Sequence, residues 1–146
     1  MSAEHQKSPG RLDEIIEEFA DLDSRERLEL LLDFAEDLPP LPERFQDERR
    51  QGKNRVQECQ TPVYLWVEVN QGQVQIYGDV APEAPTVKGF VAILVEAFSG
   101  QSAEEVLAVP PNVLTRLGLI EALGMVRMRG LSGVLKRIHE EVARQQ

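Results

Sequence analysis

The residue in this chain best suited to covalent chemistry is Cys59, the only cysteine among 146 residues. It stands in the stretch NRVQECQTPVYLW (residues 54 to 66), where a charged polar segment gives way to an apolar alternating run. A free cysteine commonly packs as a small hydrophobe. Its position here argues the other way. Glu58, Gln60 and Thr61 are polar, and Pro62 marks a loop closing onto an edge strand. From the residues alone both readings stand. A thiolate is favoured by nearby cations and disfavoured by nearby anions, and Arg55 four positions back is set against the adjacent Glu58. No motif supplies a histidine base, so a Cys-His hydrolase finds no support. A thiol peroxidase acting alone lacks a resolving cysteine. A lone thiol without base or second cysteine suits a different role, in which it attacks a sulfur atom activated elsewhere and carries it away as a persulfide.

Other chemistries are poorly served. His5 and His139 lie far from Cys59 in sequence, and no CxxC or HxxxH spacing exists for a metal. Phosphate-cradling GxxxxGK[ST] and GxGxxG loops are absent. Sixteen basic against twenty-five acidic residues give a net charge of −9, the wrong sign for a phosphate backbone. The short run Arg49 to Lys53 is bracketed by Asp47, Glu48 and Glu58, so no nucleic acid is expected as partner. No stretch reaches the roughly 18–20 apolar residues of a membrane span, and no membrane partner is expected. The opening MSAEHQKSPGRLDE lacks the apolar core of a secretory signal. A single cysteine fits a reducing compartment, and the cytoplasm is the expected location.

The elements that must position the thiol can be read from periodicity. Residues 1–10 are expected to be a poorly ordered N-terminus and residues 11–146 a single domain. Leu12, Ile15, Ile16 and Phe19 share one face of a first helix. Asp23 and Glu26 have capping-box spacing before a second helix with the stripe Leu28, Leu31, Leu32, Ala35 and Leu38. The prolines of LPPLPERF close this helical hairpin, and the charged, aperiodic residues 43–58 read as a loop. In VYLWVEV, Val63, Leu65, Val67 and Val69 face one way and Tyr64, Trp66 and Glu68 the other, predicting a half-buried strand. NQGQ turns it back into VQIYGD, with Gly72 free to adopt positive φ. TVKGFVAILVEAFSG is apolar nearly all round and predicts a buried helix. Ser102 and Glu105 repeat the capping-box spacing. PPNVLTRLGLIEALG predicts a further short helix. A last one has Leu131, Val134, Leu135, Ile138 and Val142 on its inner side. Grouped strands with helices before and after them indicate an α+β fold with a small antiparallel sheet.

Three segments, ECQTPVYLWVEV, APTVKGFVAIL and RMRGLSGVLKRI, with the LLDFAEDLPPLPERF element, resemble the SufE family over about residues 12 to 140. Around the cysteine, Cys59, Gln60 and Val63 match the commonest family pattern. Glu58, Thr61 and Pro62 stand where that pattern has glycine, serine and glutamine, as in a branch carrying Glu-Cys-Gln-Thr/Ser-Pro. Gly78-Asp79 and Lys88-Gly89 also match. Arg127 falls on the arginine of the family's Ser-Arg pair, with Val126 in the serine's place. The resemblance implies a compact α+β domain whose Cys59 takes persulfide sulfur from a pyridoxal-phosphate cysteine desulfurase and holds it for an iron–sulfur scaffold. It implies a persulfide carrier and desulfurase activator rather than a free-standing enzyme, with no cofactor of its own. It also implies a thiol that can withdraw into an apolar hollow, and roles for Gln60, Asp79, Lys88 and Arg127 in positioning the loop or docking the partner. The alternative is an interaction module that stimulates a desulfurase through its acidic helical face while Cys59 merely packs.

Overall fold

The protein is described by a computed structural model covering residues 10–146. The expected loose N-terminus lies, but for Gly10, outside the described residues. Helices α1 (Arg11–Ala20) and α2 (Ser24–Glu36) form the opening hairpin. The Asp23 side chain accepts from the Glu26 N–H, and Glu26 accepts from the Asp23 N–H, so the expected capping box starts α2. Ile15 and Phe19 from α1, with Leu31, Phe34 and Ala35 from α2, enter the core. Leu28 and Leu32 stay half-buried.

Strands β1 (Val63–Asn70) and β2 (Gln73–Val80) pair antiparallel, with Val63 opposite Val80 and Asn70 opposite Gln73. Gln71 and Gly72, both at positive φ (54° and 80°), make the two-residue turn whose twist suits a hairpin. A two-stranded sheet alone is marginal in water; here helix α4 (Pro85–Phe98) covers one face. Pro85 occupies its first turn, where a missing N–H costs nothing. Ten of its fourteen residues are buried, because β2, α1, α2 and the last helix surround it. The central helix expected from its all-round hydrophobicity is therefore present. Helix α5 (Ala103–Leu107) opens with the expected Ser102–Glu105 capping box. Helix α6 (Val113–Arg116) is a single turn. Helix α7 (Ile120–Gln145) buries Leu131, Val134, Leu135, Ile138 and Val142 as expected. It begins earlier than the sequence indicates, bending at Gly124 (φ 83°, ψ 158°), so the predicted helix over 110–124 divides between α6 and the start of α7. The fold is α+β, with a small antiparallel sheet and helices on both sides of it in sequence.

Two readings change. Residues 43–58 are not all loop: Glu43–Phe45 form a 3₁₀ turn leading into α3 (Gln46–Arg50). The outer face of β1 is also not open, since Tyr64 and Trp66 are buried in a second small core with Phe45. The Phe45 ring stacks on Trp66 at 5.1 Å and meets Tyr77 at 5.2 Å. The charges of this segment hold it down. Arg44 pairs with Glu68 through both carboxylate oxygens (2.6 and 3.0 Å), and this hydrogen bonding keeps the Glu68 carboxyl below its usual range. The Trp66 indole N–H donates to Glu48 at 2.7 Å. Arg49 lies 4.0 Å over the Tyr64 ring and reaches Asp79 at 2.5 Å. Charges that hide a helical period in the sequence thus clamp a flap across the sheet.

The flap makes a testable statement. Phe45→Ala should lower unfolding free energy by about 3 kcal/mol, the usual scale for deleting a buried ring. It should also shift the native emission of Trp66, the only tryptophan, to the red. Urea titration followed by fluorescence measures both. An unchanged emission maximum would show that the flap does not shield Trp66.

Candidate functional site

The loop bearing Cys59 is built off the outer edge of β1. Asn54 sits at φ 66°, its side-chain amide donating to the Leu65 carbonyl (3.1 Å) while the Leu65 N–H donates to the Asn54 carbonyl (3.0 Å). The Val56 N–H donates to the Val63 carbonyl at 2.8 Å, and Arg55 bridges opposite Tyr64. Residues 54–56 thereby pair with β1 as a rudimentary third strand. The chain then turns sharply, with the Cys59 N–H on the Val56 carbonyl at 3.2 Å, and presents Cys59 to α7.

Two glycines let it approach. A Cβ on Gly130 would stand 3.2 Å from Cys59 Cα and 3.3 Å from Sγ. A Cβ on Gly133 would stand 2.8 to 2.9 Å from the Glu58 side-chain carbons, so Glu58 lies along the helix in the notch that Gly133 leaves. The Cys59 thiol donates to the Gly130 carbonyl at 3.3 Å. The Arg137 guanidinium donates to the Arg55 carbonyl, and that of Arg55 to the Gln60 carbonyl, both at 3.3 Å. These bonds tie the two ends of the loop to α7 and to each other.

Cys59 is only 6% exposed. Burial is the main cause that pushes its pKa up to about 11, the Glu58 carboxylate adds to the rise, and Arg55 opposes it. In this conformation the thiol is neutral throughout the physiological range. It nonetheless borders a hollow of about 120 Å³, with Val87 and Leu131 on its apolar side and Gln60, Thr61 and Arg127 on its polar side. That space is ample for a second sulfur atom on the thiol. Beside it, Met125 and Val126 are each 58% exposed just after the bend at Gly124, and Val126 lines the hollow.

The residues singled out from sequence are distributed unevenly around this point. Gln60 and Arg127 line the hollow with Cys59. Lys88 follows Val87 on α4 and is half-buried, but it does not line the hollow. Asp79 is on β2 and is held by Arg49, where it secures the flap. The sequence reading missed Gly130, Gly133 and Arg137, which seat the loop. Glycines three apart inside an apolar-periodic helix were the available signal for a close approach. Among the described residues no cluster of three or more histidine, cysteine or acidic side chains could hold a metal, and no helix is long and apolar enough to cross a membrane.

Comparison with known proteins agrees with this arrangement. Residues 13–142 match the SufE family, described as an Fe-S metabolism associated domain. An uncharacterised SufE-like protein of Mycobacterium tuberculosis is 37% identical over 131 residues, covering 89% of this chain and 90% of its own. A protein of Plasmodium vivax named cysteine desulfuration protein SufE is 34% identical over 102 residues, covering 68% of this chain and 38% of its own. The solution structure of a hypothetical protein from Thermus thermophilus superposes with a TM-score of 0.79 at 38% identity, covering 92% of this chain and 94% of that one. With a family match spanning nearly all of the described residues, and a single cysteine held in a loop against its last helix, this chain belongs to the SufE family.

Proposed function

We propose that this protein accepts sulfane sulfur from a cysteine desulfurase onto Cys59 and holds it for an iron–sulfur scaffold. The observation that carries the reading is the placement of the only thiol at a hollow with spare volume, bordered by exposed Val126. The naming of the Plasmodium relatives as cysteine desulfuration proteins supports the choice of donor. The chemistry balances without a further reagent. The Cys59 sulfur attacks the terminal sulfur of the donor persulfide, the donor's S–S bond breaks, and the donor cysteine leaves as thiolate. The proton lost by Cys59 ends on that thiolate, and Cys59 becomes the persulfide. Exchange of this kind depends on thiolate fraction and access. Both are low in the free protein, so partner binding must raise them. Arg127 and Gln60 then contact the incoming donor, while Asp79 and Lys88 act through the flap and α4. Pyridoxal phosphate belongs to the desulfurase; this chain is a carrier, not a free-standing enzyme, and works in a reducing cytoplasm.

The sheltered, protonated thiol also favours a second reading, in which Cys59 packs and the protein stimulates a desulfurase by contact alone. Mass spectrometry separates the two. Incubated with cysteine and a cognate desulfurase, the wild type should gain one or more sulfur atoms on Cys59, and Cys59→Ser should gain none while still binding the desulfurase. Sulfur-free wild type with a stimulated desulfurase would establish the second reading instead.

The thiol's environment predicts a pH profile. Because burial and Glu58 raise the Cys59 pKa to about 11, alkylation of the free protein by iodoacetamide should be slow at neutral pH and climb only towards that value. Glu58→Gln removes the charge at nearly constant shape. The midpoint should fall, yet stay above the ordinary thiol range of about 8.5, since burial is the larger cause. Stopped alkylation followed by intact-mass measurement, from about pH 6 to beyond the wild-type midpoint, reads both profiles. An unmoved midpoint in Glu58→Gln would remove the carboxylate from the thiol's electrostatics.

A further inference from the structure

The two edges of the hairpin are treated differently. The outer edge of β1 is covered by residues 54–56 and by Gln145, whose side-chain amide donates to the Val67 carbonyl and accepts from the Val69 N–H. On β2 the even-numbered residues from Val74 point their backbone groups outward, because the pairs flanking the two-residue turn fix which residues bond to β1. Val74 is satisfied by Gly100 and Gln101, and the Ile76 N–H by Ser99 Oγ. Beyond that the cover stops. Among the described residues, the Ile76 carbonyl and both backbone groups of Gly78 have no hydrogen-bond partner along this edge.

Those groups open into an apolar hollow of about 380 Å³ between β2, α4 and the segment Asp37 to Pro42. Its volume lies in the range of ligand sites. Leu38, Leu41, Ala92 and Val95 provide apolar wall and floor, and three prolines in the facing segment have no N–H to offer the strand. The charged residues lining it are Asp37 and Glu96, with no lysine, arginine or histidine among the lining residues; Glu96 is held by Arg11 at 2.6 Å, which leaves Asp37 as the carboxylate offered to an occupant. Asp37 is exposed.

We infer that this groove receives an extended, basic segment of a partner protein, which adds a strand to the edge of β2. The unpaired backbone groups at Ile76 and Gly78 call for a peptide main chain. The period of two along a strand sends alternate side chains into the apolar floor and out towards the Asp37 carboxylate. The groove is on the opposite edge of the hairpin from Cys59, so a segment bound here leaves the thiol loop free. It provides a second attachment point that does not depend on sulfur transfer.

The probe is a fluorescent, acetylated Lys-Val-Lys-Val-Lys amide, titrated against the intact protein at low salt with polarisation and amide NMR as readouts. The Gly78 amide should move downfield and exchange more slowly on binding. A fully N-methylated analogue should bind at least about tenfold more weakly, as the loss of backbone hydrogen bonds requires. Glu-Val-Glu-Val-Glu should bind no better than that analogue. Asp37→Lys should weaken the basic probe by about threefold to tenfold, an effect that added salt diminishes. Cys59→Ser should bind like the wild type. The inference is overturned if the N-methylated peptide binds equally well, if the basic probe leaves the Gly78 amide unmoved, or if the protein alone sediments as a dimer with that amide already protected. That last result would give the edge to a second copy of this chain.

Discussion

Everything at the thiol site depends on how near a loop can come to a helix. Gly130 and Gly133 remove two β-carbons from the face of α7, and residues 58 and 59 fill the space. The contact hides the sulfur, gives it a carbonyl to hydrogen-bond, and excludes the water that would stabilise a thiolate. A Cβ at Gly133 would collide with the Glu58 side chain, and one at Gly130 would press on Cys59 itself. Burial here is thus a consequence of helix composition far downstream, with Gly130 standing 71 positions after the cysteine. The reactivity of the thiol is set as much by α7 as by its own neighbours.

The legible parts of the fold were those where one physical signal dominates. Asp23–Glu26 and Ser102–Glu105 are local hydrogen-bond patterns, and both caps formed. The Gln71–Gly72 turn needs two positive φ values and has them. Helix α4 has no polar face and is enclosed. The flap was obscured because its stability comes from partners 18 to 30 positions away, Glu48 to Trp66, Arg44 to Glu68 and Arg49 to Asp79, none of which has a period. For the same reason the alternating strand read as half-exposed: alternation shows that two faces exist, not that a second cover waits upstream. At the site, the identity of the thiol was plain in the sequence, while the residues alone left its burial open and the resemblance implied a shelter. The seat on Gly130 and Gly133 required knowing which helix turns its small residues towards the loop.

The hairpin itself links these features. Its β1 edge carries the thiol loop, its inner face rests on α4, and its outer face carries the flap. At Gly78 α4 comes close, since a Cβ there would stand 2.8 Å from Val91 Cγ1. The backbone of the same residue faces an open groove. An unpaired edge is a hazard that proteins generally cover or charge. Here the segment Asp37 to Pro42 stands off from it, with prolines unable to pair, so the edge is screened but not filled.

Glu58 brings the electrostatics and the packing into one residue. Its carbons fill the notch at Gly133, which favours the closed loop, and its carboxylate raises the Cys59 pKa, which favours the neutral thiol. The two effects reinforce each other only while the loop is seated. Any displacement of residues 57–61 from α7 hydrates the sulfur first, removing the larger cause of the raised pKa. The same hydration then screens the carboxylate, since exposed charges interact weakly in water and salt. Arg55 is bonded to the Gln60 carbonyl of the same loop, and it stays at the base of the turn because its own carbonyl is held by Arg137. Uncovering the thiol would thus return it towards the ordinary range of a free cysteine, without a histidine base and without a second cysteine.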